Sequence, residues 1–473
     1  MARNRISRQC TMLTGTLEDY IPHDHLLRKL DRYVDWSFIY EICDDLYDTR
    51  GRNRIDPVVL FKMMFINIIF GFHSMRRTCN EIEISFGYRW FLGLGMDDKV
   101  PDHSTFSQNY RRKFKDNDVA IRIFGAVIAQ LLDNGLVDSS TLFIDGTHIK
   151  ACANKNKSRN RKVEIAARRC KEELDAEIDR DREEHGKKPF DRKEEAVAEK
   201  EIKTSTTDPE CGYFHKGEKE KCFAYNANVA CDRNAYILGM SIEPGNVHDS
   251  TAVYGLYDYL DSTPYARDIE KIVADAGYSN PELAHYTKGK NMQLIAPKKR
   301  SRARGKGKYG KHSFEYDREA KVYVCPQGCL LEYSTTNRSG RQQFRSNKKQ
   351  CESCPKRQTH CTESKTGFKM LERHLWQDDL DEAISLRRGD ERDTYAKRKQ
   401  TIERAFGDAK MAHGLDYTRY RGLQRVTDII ALTFAGMNIK KMCTYLARLE
   451  EKCAQKQNFE HQSDEVKKLV GVL

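Results

Sequence analysis

The chain has 473 residues, too many for one ordinary hydrophobic core. Its formal net charge of +12, with 32% of residues charged, favours a polyanionic partner. The opening stretch MARNRISRQCTMLTGTLEDY has no apolar core of signal-peptide length, and the most apolar window, VVLFKMMFINIIFGF, is short for a bilayer and broken by Lys62 and Asn67. With 15 cysteines and no export signal, the expectation is reduced thiols and a metal site in a cytoplasmic, nucleoid-associated protein.

Residues 1–135 read as helices. Leu26, Leu27, Leu30, Val34, Phe38 and Ile39 recur at helical intervals, and Asp56–Pro57 forms an N-cap and first-turn pair opening a buried helix. DHSTFSQNYRRKFKDND follows as a capped helix carrying Arg111 and Arg112, a candidate DNA-reading element. From 141 the pattern turns to strands: TLFIDGTHIKAC, then CFAYNANVACD and AYILGMSIEPG joined by a turn at Asp232, Arg233 and Asn234. STAVYGLYDYLD and NPELAHYTKG read as helices alternating with the strands KIVADAGY and NMQLIAPKK, which predicts an α/β layered core over 141–445. Two insertions interrupt that core. Residues 153–221 are dense in alternating charge and predict an exposed helical hairpin broken near Gly186 and Pro189; residues 299–375 hold a basic strip and a cysteine cluster. DERDTYAKRKQTIERAFGDAKMAHG predicts one long helix ended by Gly414, and 446–473 is left as a C-terminal tail.

Three carboxylates stand out. Asp145 ends the apolar run Leu142–Ile144, Asp275 ends Ile272–Ala274, and Glu403 shares a helix face with Phe406 and Lys410. Ligands gather at the carboxyl ends of strands in α/β sheets, and carboxylates drawn together there are reconciled by hard divalent cations of the kind used in phosphoryl transfer. Asp249, in GNVHDS, is a fallback for the second acid and reads as an N-cap; His248 beside it is a turn residue or a contact to DNA or metal-bound water. In the second insertion, Cys325, Cys351, Cys354 and Cys361 form the expected structural zinc set, with Cys329 as rival to Cys325. Lys298, Lys299 and Arg300 open a glycine-rich basic strip suited to phosphate contacts.

FIDGTHIKA, GNVHDS, VADAGYSN, IERAFGDAK, YRGLQRV and AGMNIKK, taken in that order, resemble the DDE transposases of bacterial insertion sequences. IDPVVLFKMMFINIIFG and VPDHSTF resemble the helical domain ahead of their core. The resemblance implies a multidomain chain: an α-helical, DNA-end-binding N-terminal domain and an RNase H-like α/β core with Asp145, Asp275 and Glu403 as catalytic triad. It implies Mg2+, with Mn2+ as substitute, for cleavage of element ends and strand transfer into target DNA. Double-stranded DNA is the expected partner, bound by at least a homodimer. Lys410, Arg398 and Tyr395 fill the basic and tyrosine places around the glutamate, the latter two about one residue off the commonest spacing. A silent DNA-binding regulator and a nuclease without strand transfer are the alternatives.

Overall fold

The computed structural model describes residues 15–46, 55–164, 169–192, 199–216, 220–299, 309–361 and 367–470. Among the described residues seven α-helices precede the first strand: α1 (Leu26–Tyr33), α2 (Phe38–Cys43), α3 (Pro57–Ile69), α4 (Met75–Ile84), α5 (Phe86–Leu92), α6 (His103–Asn109) and α7 (Val119–Asp133). Asp56 caps α3 as its sequence predicts, accepting a hydrogen bond from the Val58 N–H at 2.7 Å, and α3 buries nearly all its apolar side chains. After α6 the backbone widens into a π-type turn over Tyr110–Phe114, which leaves Arg111 and Arg112 exposed.

The main sheet comprises β1 (Thr141–Lys150), β2 (Ser158–Glu164), β3 (Glu199–Ser205), β4 (Gly212–Lys216), β5 (Glu220–Cys231), β6 (Ile237–Pro244), β7 (Lys271–Val273) and β8 (Gln293–Ile295). One edge of β5 pairs first with β4 and then with β6; its other edge pairs antiparallel with β1. β1 runs parallel to β7, and β7 parallel to β8. The inner order is therefore β6-β5-β1-β7-β8. Helices α9 (Asp249–Asp261) and α10 (Pro281–Gly289) supply the crossovers, capped by His248 and Asn280.

The first insertion is not a helical hairpin. Its one described helix, α8 (Lys171–Glu184), ends before Gly186 at φ +66°, and the chain then returns as β3 against β2. Pairing with each other along seven residue pairs, and with the sheet edge at Thr204–Gly212, satisfies the backbone of these charged segments as strands, overriding their helical composition. The second insertion builds its own antiparallel sheet, in the order β13-β12-β11-β10-β9, from β9 (Glu315–Asp317), β10 (Val322–Val324), β11 (Leu330–Thr336), β12 (Arg341–Ser346) and β13 (Met370–His374), with the short α11 (Lys348–Glu352) after β12. Its core is small: Phe314, Tyr323, Leu331, Phe344 and Leu371.

The long helix expected over 390–414 is broken into α13 (Arg392–Ala396), a 3-10 turn over Lys397–Lys399, and α14 (Ile402–Met411), preceded by α12 (Gln377–Arg388). α15 (Leu423–Val470) continues through the segment expected as a separate tail from 446. One apolar core joins the N-terminal helices, the main sheet and α15. No described helix is long and apolar enough to cross a membrane.

Candidate active site

Leu142, Phe143 and Ile144 are fully buried, so β1 is fixed in the sheet up to the point where Asp145 emerges. Phe143 lies opposite Val273 in the parallel pair, which puts Asp145 and Asp275 each two residues past the same rung. Their backbones are held locally: the Gly146 N–H donates to Asp145 Oδ1 at 2.9 Å, and the Gly277 N–H to Asp275 Oδ1 at 2.6 Å. Asp249, the first residue of α9, completes an acidic cluster. A Cβ added to Gly146 would lie 3.1 Å from Asp249 Oδ1, and one added to Gly277 would lie 3.4 Å from Asp249 Oδ2. His248 caps α9, so the N-cap role expected of Asp249 belongs to its neighbour and leaves the Asp249 carboxylate for the cluster.

Burial pushes the Asp145 carboxyl up to about 6; Arg398 opposes that rise, and the nearby Asp275 and Asp249 add to it. Arg398 is 5% exposed, and its Nη2 donates to Asp145 Oδ2 at 2.8 Å. Tyr395 lies under the guanidinium at 5.8 Å. The tyrosine, the arginine and the first aspartate thus form one chain of contacts. The helix is interrupted by the 3-10 turn over Lys397–Lys399, at the point where Arg398 meets the buried carboxylate.

α14 lies against β1 through Ile402, Ala405 and Ala409, a buried stripe whose small residues permit close approach. Gly414, at φ +68°, turns the chain back so that Lys150 donates to Asp416 O at 3.0 Å and Thr418 to Lys150 O at 2.9 Å. Glu403 sits in the first turn of α14, exposed, with no hydrogen-bond or ion-pair partner among the described residues. The structure therefore gathers Asp145, Asp249 and Asp275, and leaves Glu403 beside β1 but untied to them. Lys410 is half-buried on the Glu403 face. Lys298 and Lys299 are exposed beyond β8, while Arg300 lies outside the described residues.

Several site residues escaped the sequence reading. Asn226 and Asn228 are fully buried at alternate positions of β5, and Tyr278 follows the Gly277 turn. Asn226 Nδ2 donates to Asp249 Oδ1 at 2.8 Å, and Tyr278 donates to Asn228 Oδ1 at 3.0 Å. The available signal was two asparagines at i and i+2 in an otherwise apolar strand. Asn226 Oδ1 is buried without a partner, a further oxygen beside the acids that suits a hard cation. Among the described residues no three His, Cys, Asp or Glu side chains are arranged as a ready metal-holding group; Asp145 engages Arg398 instead.

The five cysteines of the second insertion line one pocket, together with Tyr309, Phe314 and Leu331. Cys325 Sγ accepts from the Gln327 and Cys329 N–H groups, each at 3.3 Å, and Cys351 donates to Ser346 Oγ at 3.0 Å. All five are free thiols.

No curated protein matches the chain. Two family models do: a transposase domain (DUF772) over residues 15–112, and a transposase DDE domain over residues 324–443. The second match contains Arg398, Glu403 and Lys410, whereas Asp145 and Asp275 precede it. A transposase domain thus covers the N-terminal helices and a transposase DDE domain reaches into α15, and the two matches together support an insertion-sequence DDE transposase.

Proposed function

We propose that the protein cleaves DNA at the ends of its insertion sequence and joins those ends to a target, using Asp145, Asp275 and Glu403 on an RNase H-like core. The observation that carries this reading is the placement of Asp145 and Asp275 past one shared rung of the parallel pair β1–β7, within the strand order β6-β5-β1-β7-β8. A divalent cation bound there supplies charge neutralisation and activation of the attacking oxygen. The donor set fits such an ion: carboxylates and an unpartnered amide oxygen, all hard ligands. Asp145 and Asp275 would hold it, with Glu403 completing the site from α14.

The chain's own residues divide the remaining work. Arg398, which donates to Asp145 Oδ2, would offset the charge of that carboxylate while no cation is bound. Lys410, on the Glu403 face of α14, holds DNA next to the reacting phosphate. Arg111 and Arg112, on the exposed turn after α6, and Lys298 and Lys299 contact duplex backbone farther away.

The cysteine pocket is a structural zinc site in this reading. Cys325, Cys351, Cys354 and Cys361 are its ligands, and Cys329 is the rival whose N–H already points at Cys325.

The test is Glu403→Gln. With Mg2+ and DNA carrying the element ends, cleavage is expected to fall at least about a hundredfold while end binding is retained. Cleavage at the unaltered rate would remove Glu403 from the chemistry. Supplying pre-cut ends with a target plasmid separates a transposase, which joins them, from a nuclease, which does not.

A further inference from the structure

A groove of about 660 Å³ lies between α14, α15 and the β5–β6 turn. It is lined by Lys397, Arg404, Lys440, Lys441, Arg448 and Arg233, against one acid, Asp408. Arg404 and Asp408 are four residues apart on α14, on the side opposite Glu403, Phe406 and Lys410. The groove therefore backs onto the helix that carries the candidate catalytic glutamate, and it is not the site of the acidic cluster.

Most of these charges are not accounted for within the fold. Arg233 pairs with Asp138 at 3.5 Å and reaches Thr141 Oγ1 at 3.0 Å, and Lys441 donates to the Asn234 carbonyl. Lys397, Arg404, Lys440 and Arg448 have no hydrogen-bond or ion-pair partner among the described residues, and Lys397, Arg404 and Arg448 are exposed. Burial holds Lys441 below the ordinary lysine range; Asp232 opposes this and Arg404 adds to it. A concave surface lined by one sign focuses its field outward and repels itself until an anion enters. Cations contributed by separate helices and a hairpin turn match a ligand with repeated charges along a line, which a phosphodiester backbone provides.

We propose that this groove is a second duplex-DNA track, gripping phosphate backbone on the far side of α14 from the reacting strand. The inference rests on the transposase reading, since strand transfer requires an element end and a target to be held at once. The two DNA sources share one chemistry and are separated by the test.

Binding is measured by fluorescence anisotropy in EDTA, so that failure of the metal-site reading leaves this result intact. Arg404→Glu/Arg448→Glu is titrated with a duplex of arbitrary sequence and with a duplex carrying the element end. The expectation is about tenfold weaker binding, and a log–log salt slope shallower by about 2 if two phosphate contacts are lost. Loss on the arbitrary duplex alone assigns the groove to target; loss on the end duplex alone, or on both, makes it a track for element-end backbone too. Unchanged affinity and slope on both duplexes overturn the proposal. So does unchanged DNA binding with a shift from dimer to monomer in sedimentation, which would make the groove a protein interface. These cations hold no partner, so the thermal midpoint should stay level; if it falls, Lys397→Gln/Lys440→Gln reads the same groove without charge reversal.

Discussion

Asp145 and Asp275 occupy equivalent places on their strands but differ in their neighbours. Asp145 is paired with a buried arginine whose Nε has no hydrogen-bond partner among the described residues; Asp275 accepts from the Gly277 N–H and lies close enough to raise the Asp145 carboxyl. Their neutral variants should therefore change stability by unequal amounts without metal. Asp145→Asn strands the Arg398 charge in the interior and should cost about 3–5 kcal/mol. Asp275→Asn removes a charge that repels Asp145 but attracts Arg398, keeps an acceptor for Gly277, and should change stability by no more than about 1 kcal/mol. In both variants the rise in unfolding midpoint on adding Mg2+ should vanish. Urea unfolding in EDTA and in Mg2+ reads all of this, and equal losses from the two variants would contradict the asymmetry.

Among the elements, those the sequence predicts best are those whose own periodicity agrees with their tertiary setting. β1, β6, β7, α10 and β8 fall within the stretches predicted for them, and β5 and α9 begin two residues and one residue earlier than predicted. The strand-end aspartates are legible because an apolar run ending in Asp needs no partner to be seen. The break at Lys397–Thr401 is not legible: the partner that Arg398 meets there, Asp145, lies 253 positions away. Nor are β2 and β3, charged segments whose strand form depends on pairing with each other across α8, or Asp249, which reads locally as a cap. The second sheet is an intermediate case: its cysteines are conspicuous, its short polar strands are not. With a core of five side chains it is poorly supported by apolar burial alone. Zinc would contribute several kcal/mol of folding free energy there. The purified chain should carry about one zinc per molecule by atomic absorption. Cys351→Ser/Cys354→Ser should lose it and expose the amides of β10–β12 to hydrogen exchange. A zinc-free protein with unchanged exchange in that variant would refute the metal assignment.

Across the whole molecule, α15 is the spine, contacting α1, α3, α7, β6 and α14. Asn438 pins the start of β6 to it, accepting from Ile237 N at 2.9 Å and donating to Ile237 O at 2.7 Å. The N-terminal helices are fastened by a buried contact in which Tyr110 donates to Asp428 Oδ2 at 2.5 Å. Burial pushes the Asp428 carboxyl up to about 6, from an ordinary value of 3.8; the Tyr110 hydrogen bond opposes this and Asp118 adds to it. A folded-state value above the unfolded one means that the protonated acid favours the folded chain. Its contribution is full below pH 3.8 and is lost as pH rises through about 6. Above that window the ionised group costs at most about 3 kcal/mol. Asp428→Asn retains an acceptor for the Tyr110 hydroxyl and removes the titration. Its stability relative to the unaltered protein should therefore climb between about pH 4 and 6 and level off above, by up to about 3 kcal/mol. Denaturant unfolding across that range tests it. A flat difference would mean that the joint between the N-terminal helices and α15 carries no buried charge at neutral pH, and its strength would then come from the apolar faces of α3 and α7 alone.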